Sequence, residues 1–435
     1  MTTFHRFVLP AIAAALVLAA CGGDRNGGST ASQQTAPSPP PPAALRAARQ
    51  FHDHTAVTFH RQPGGHGAQA IVEYLRAASG GGGPAHERDD EESPTGLITF
   101  AAPPTVRLAS DTPRELRALA DRAVDAINRW LPYGKRLGIG ADIAPLTPLD
   151  DIPRGQIALD FADPRHWRPA GSDHTGLAVT RFTNADTAPE TYSARVFVAP
   201  VRRPGQITIA IHELLHALAV TGHISSDHFP TTIMAARSDT TREVLAIDGE
   251  ALLAAYTRFA PGTHPDDITL DSLGPWATET MHLQGRIAAP GNAVNFGVSF
   301  RNGLARPWFR GSQPDTDIAD NPALAGSVEW NGTLLGFTAE GRSAAGAARI
   351  ALDLGTLDGT AEFTDIETWN GAPGAQGSGA AWRDLAYAIT ATGNSFRNTA
   401  GDAGELRGRF TGSRHQGAAG TLERTDLSGA FAAAR

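Results

Sequence analysis

The 435-residue chain has a single cysteine, Cys21, so no disulfide can form within it. Once that thiol is used elsewhere, no cysteine-based latency is open to the protein. No run rich in Lys and Arg is present and the formal net charge is −8, so the basic footprint that holds phosphates is missing. No nucleic-acid partner is expected. Long apolar runs are also lacking: the stretch from Phe7 to Ala20 is too short to span a bilayer as a mature helix. Methionine is scarce, with three in the whole chain, which gives the position of each some weight.

His5 and Arg6 precede the Phe7–Ala20 stretch, and the combination reads as an export signal over residues 1–20. It closes on "LAAC", Leu18 to Cys21, which resembles the bacterial lipobox. That resemblance implies a lipid on Cys21 and a membrane partner for the chain. Gly22 follows where an aspartate would retain a lipoprotein in the inner membrane, so the expected location is the outer membrane, displayed at the cell surface.

Residues 21–50 contain "STASQQTAPSPPPP", a composition that buries too little surface to fold, and they read as a tether. A second soft stretch, "SGGGGPAHERDDEESPTG" at 79–96, reads as a solvated loop. Residues 45–100 could also form an inhibitory propeptide.

Between the soft stretches and residue 275, helix and strand signals alternate. Thr112, Pro113 and Glu115 form a T-x-x-E capping box with proline at the first helical position. Leu116, Ala120, Ala123, Ile127 and Leu131 then recur at helical spacing until Pro132. "QIALDF" (156–161) and "ARVFVA" (194–199) alternate like half-buried strands, and "IDGEALLAAYTRFAPG" (247–262) predicts another helix. Beyond Trp276 helical periodicity stops and about half of all the glycines fall among short alternating runs, the texture of an antiparallel barrel or sandwich. We therefore expect a domain over 51–275 and a β-barrel of eight strands over 276–435.

The chemistry concentrates in "IHELLHALAVTGHISSDHFPTTIM", residues 211–234. His212 and His216 stand four apart, so on a helix they share a face and can both reach one zinc ion. Glu213 between them is the general base of an H-E-x-x-H arrangement, taking a proton from the attacking water and returning it to the leaving amine. A catalytic zinc takes three protein ligands, and the third must come from beyond the helix. His223 supplies it if Gly222 takes a positive φ and turns the chain back; Asp227 and His228 are the alternatives. His52, His54, His60 and His66 have no ligand spacing and read as surface residues.

"HELLHALAVTGHI" resembles the metzincin clan of zinc peptidases, nearest its matrixin branch. Ala219 stands where the family has a turn glycine, and His223 comes one residue late. "TTIMAA" resembles the family's methionine turn, with Met234 as the floor residue, and 247–262 resembles the helix that follows it. What this implies is an α+β zincin-like domain with a twisted mixed sheet and an active-site helix, Zn2+ as cofactor, and a protein or peptide substrate. The closing "LRGRFTGSRHQGAAGTLERTDLSGAFAAAR" is similar to the barrels of transferrin-binding-protein-B-like lipoproteins through Gly408, Phe410, Gly412 and Gly420. That implies surface display and a host protein bound by the barrel. The expected function is a surface-anchored zinc metalloendopeptidase, and the alternative is a non-catalytic host-binding or adhesive lipoprotein with a degenerate zincin domain.

Overall fold

The structure is a computed structural model. It describes residues 19–20, 49–51, 55–81, 86–87, 95–168, 175–183, 190–200, 205–235, 244–289, 292–374, 379–398 and 404–435. Cys21, His52, His54 and most of the expected signal and tether lie outside these. The chain divides into two compact units, one built mainly from 65–131 and 135–276, the other from 33–64, 132–134 and 277–435.

In the first unit a mixed sheet runs in the order Gly176–Phe182, Thr191–Val198, Gln156–Phe161, Thr105–Leu108, Gly138–Ile139. Four of these strands are parallel and Gly176–Phe182 is antiparallel to its neighbour. Beyond it Ala19 and Ala20 pair with Ala178 and Leu177. One face of the sheet presents Val106, Leu108, Ile157, Leu159, Ala194 and Val196 to a core shared with four helices. These are α1 (Ala68–Ala78), α2 (Arg114–Asn128), α3 (Gln206–Leu218) and α4 (Ala246–Arg258).

Helix α3 is apolar nearly all round, and a helix of that kind is one buried on every side. Three expectations about helix ends fail. Thr112 makes no side-chain cap to α2, which starts at Arg114 with Pro113 in the capping position, because an extended Pro113 already sets the entry angle. The same helix stops at Asn128, short of Pro132, and α4 stops at Arg258 where the pattern had suggested 262.

In the second unit Arg49–Phe51 and Thr55–Pro63 form a five-stranded antiparallel sheet with Glu279–Ala289, Asn292–Arg301 and Leu304–Arg310. Phe51 and residues 55–63, expected in the first domain, thus pair with the second. The reason is register: Val57 and Phe59 point to the same side as Leu283 and Ile287 and join their core. Asn302 and Gly303, at φ 53° and 87°, make the tight turn between Arg301 and Leu304, a left-handed pair that only such residues adopt readily.

The barrel begins later than expected, at Ser327. Eight antiparallel strands close it, because Ser343–Asp353 pairs with Ser327–Thr338 on one side and Asp358–Trp369 on the other; Ala380–Ala381 adds a short ninth strand outside the ring. Its interior is solid, filled by Trp330, Phe363, Phe396, Phe410 and Phe431 with ring centroids 4.9 to 6.3 Å apart where they touch. The strand "LAYAITAT" shows the alternation that produces this, with buried Leu385, Tyr387 and Ile389 between exposed Ala386 and Ala388. On the outside, small residues such as Ala345, Ala419 and Ala432 let the five-stranded sheet pack closely through Phe296, Val298 and Phe300.

Candidate metal centre

His212 and His216 project from α3 one turn apart, and His223 arrives on the short strand His223–Ile224. One ring nitrogen from each of the three lies within 4.8 Å of the others. All three residues are buried. Asp227 and His228, the alternative ligands, are exposed on the following turn and outside this cluster.

The hydrogen bonds fix which nitrogens face one another. His212 Nδ1 donates to the Ile233 carbonyl at 2.7 Å, and His216 Nδ1 donates to the Val220 carbonyl at 2.6 Å. A carbonyl only accepts, so both rings carry their proton on Nδ1 and have an unprotonated Nε2. Those two Nε2 atoms are 3.0 Å apart. Two acceptors at that distance repel unless a cation lies between them, and two nitrogens bound to one tetrahedral zinc stand about 3.3 Å apart. The donor set therefore fits zinc. Burial, and then the neighbouring His212 and His223 rings, hold the His216 pKa well below the ordinary imidazole value, so the ring stays neutral.

The chain reversal does not use Gly222, which lacks the expected left-handed φ. Helix α3 ends at Leu218, and Ala219 takes φ −167°, extended backbone open to any residue. The Ala219 and Val220 amides both donate to the Leu215 carbonyl at 3.1 Å, which turns the chain before glycine is reached. An alanine at 219 is thereby accommodated without a left-handed turn.

Glu213 is fully buried, and its carboxylate lies against Gly176 on the antiparallel strand Gly176–Phe182. A Cβ at Gly176 would come 2.4 Å from Glu213 Oε1, so only glycine leaves room. Met234 is fully buried, and its carbonyl accepts from the Ile224 amide at 3.0 Å, joining the methionine turn to the strand that carries His223.

Several residues at this site had no signal in the sequence. Asp248 of α4 is buried and accepts from Tyr74 Oη at 2.6 Å, Thr232 Oγ1 at 2.6 Å and the Ile233 amide at 3.0 Å. Burial raises its pKa to about 6 against the pull of those donors. A carboxylate on the inner face of "AIDGEALLAAY" was the one available hint. Thr221 donates through both its amide, at 3.1 Å, and its Oγ1, at 3.0 Å, to the Ala78 carbonyl. Of the histidines left unassigned, His66 donates its amide to Glu250 Oε2 at 2.8 Å, and His60 stacks on His282 at 4.7 Å.

No protein-family model and no curated relative matches the chain. Among solved structures, a surface lipoprotein is similar at 12% identity and TM-score 0.23, over 32% of this chain and 75% of that one. Transferrin binding protein B of serogroup B Neisseria meningitidis is similar at 16% and 0.24, over 35% of each chain. The N-lobe of lactoferrin binding protein B of Moraxella bovis is similar at 12% and 0.21, over 33% and 74%. The chain thus spans about a third of the meningococcal protein.

Proposed function

We propose that the chain is a surface-anchored zinc metalloendopeptidase, with His212, His216 and His223 as the ligands and Glu213 as base and then acid. The observation that carries this is the convergence of three ring nitrogens from buried histidines within 4.8 Å, two of them unprotonated Nε2 atoms 3.0 Å apart. Zinc bound there would polarise a substrate carbonyl and lower the pKa of water toward neutrality. Glu213, next in sequence to a ligand and held against Gly176, accepts the proton of the attacking water and returns it to the departing amine. The carbonyls of Ile233 and Val220 fix the tautomers that leave the nitrogens available. An extended substrate would pair along Gly176–Phe182, an edge that removal of residues 1–20 would free of Ala19 and Ala20. The lipobox at Leu18–Cys21 and the glycine after it support attachment to the outer membrane.

The test is zinc content and casein cleavage by the full chain, with Glu213→Gln beside it. We expect one zinc per chain, chelator-sensitive cleavage, and a variant that keeps its zinc but loses at least ~100-fold in cleavage rate. Cleavage that survives the substitution would sink the assignment of Glu213.

The barrel favours a second reading, a host-protein-binding surface lipoprotein in which the first unit is not catalytic. A closed, solid barrel is a rigid scaffold whose connecting loops are free to specify a partner. Under that reading the wild type is zinc-free and inert in the same assay, and it retains immobilised transferrin or lactoferrin.

A further inference from the structure

We infer that helix α1, from the segment ahead of the sheet, is a built-in positioning element of the metal centre: Tyr74, through Asp248, holds the Ile233 backbone that orients the His212 ring, and the Ala78 carbonyl holds the backbone that leads into His223. The inference rests on the zinc reading above. Two chains of contact lead from this one helix to two different ligands.

The first begins at Tyr74, which has no exposed surface and donates its hydroxyl to Asp248 Oδ1 at 2.6 Å. The same carboxylate holds Thr232 and the amide of Ile233, and the carbonyl of Ile233 takes the Nδ1 proton of His212. The path is therefore phenol, carboxylate, the backbone of Ile233, imidazole, each member buried and each bond at most 3.0 Å long. The second begins at the last residue of α1. Ala78 offers its carbonyl to both donors of Thr221, two residues before His223. The strand His223–Ile224 is then clamped by Met234 and by the pairing of His223 with Glu87 and Ile224 with His86.

A segment that supplies such contacts cannot act as a removable propeptide. Ile71, Leu75, Ala77 and Ala78 of α1 lie in the same core as α3 and α4, so losing the helix would open that core as well as loosen two ligands. Residues 68–78 are in this respect part of the folded domain, and neither Tyr74 nor Thr221 touches substrate.

The experiment measures zinc affinity, by competition with a chromophoric chelator, and the visible spectrum of the cobalt form. It compares the full chain with Tyr74→Phe, Thr221→Val, Thr221→Ser and, on the exposed face of α1, Glu73→Ala. Tyr74→Phe and Thr221→Val should each weaken zinc binding on the order of 10-fold and change the cobalt spectrum. Thr221→Ser, which keeps the hydroxyl, and Glu73→Ala should match the wild type. Far-UV circular dichroism of the metal-free forms checks that the variants fold; a metal-site change in a folded variant is the supporting result. Wild-type affinity and spectrum in both Tyr74→Phe and Thr221→Val overturn the inference while leaving the zinc reading intact. A wild type that binds no zinc overturns both.

Discussion

At the scale of single residues the site depends on positions that carry no chemistry of their own. Gly176 is one: any side chain there would collide with the carboxylate of Glu213. Gly176→Ala should displace that carboxylate and lower kcat/KM for a peptide substrate by roughly 100-fold, as misplacing a catalytic group by about an ångström does. Zinc content should stay at the wild-type level, because the atoms nearest a side chain at 176 belong to Glu213, which is not a ligand, and unchanged turnover would show that the carboxylate is free to relax. The motif residues were legible because their spacing along a helix is itself the chemical statement: His212 and His216 must share a face. Gly176 was not, because its partner is 37 positions away and a glycine in a strand pattern does not name what approaches it. Gly222 misled for the opposite reason. A glycine before a candidate ligand suggests a left-handed turn, yet two amides folding back onto Leu215 made the reversal earlier.

At the scale of elements, period decided what could be read. The strand Gln156–Phe161, read from its alternation, was found at its expected bounds, but it is not half-buried: Ile157 to Asp160 are all buried, because both faces of the sheet are covered there. Residues 55–63 alternate equally well, but which sheet they join depends on strands more than 200 residues later, and local pattern cannot supply that. Likewise α1 had no separate signal in a stretch expected only to belong to the first domain or to a propeptide. The ends of the barrel's strands hold a second buried network. His415, at φ 58°, accepts at Nδ1 from Asn321 Nδ2 and donates from Nε2 to Asn394 Oδ1, both at 2.8 Å. Each amide is oriented by its own backbone bonds, Asn321 through Ala323 and Arg414, Asn394 through Thr316, so the neutral ring is the one that fits. Burial lowers its pKa, and those of His60 and His282 as well. A histidine whose folded pKa lies below its unfolded value stabilises the fold fully above about 6.5 and loses that contribution as pH falls further. The denaturant midpoint of the second unit should therefore drop between pH 7 and pH 5. His415→Gln should flatten part of that slope, and an identical slope would assign the titration to other groups.

At the scale of the whole molecule, each of the two units has its own core, one gathered around α3 and one inside the barrel. A ligand that binds only the folded first unit stabilises that unit by mass action, by about 4 kcal/mol at a thousand times its dissociation constant. Calorimetry of the full chain should therefore show zinc raising one transition while the other keeps its temperature, and chelation reversing the shift. Equal movement of both would mean that the units unfold together. The interior of the barrel has a separate consequence. Five aromatic rings occupy the space where a barrel of this strand number could hold one small guest. The barrel is accordingly a post and not a cup: its described interior is packed with its own side chains, which leaves the outer skin to meet a partner.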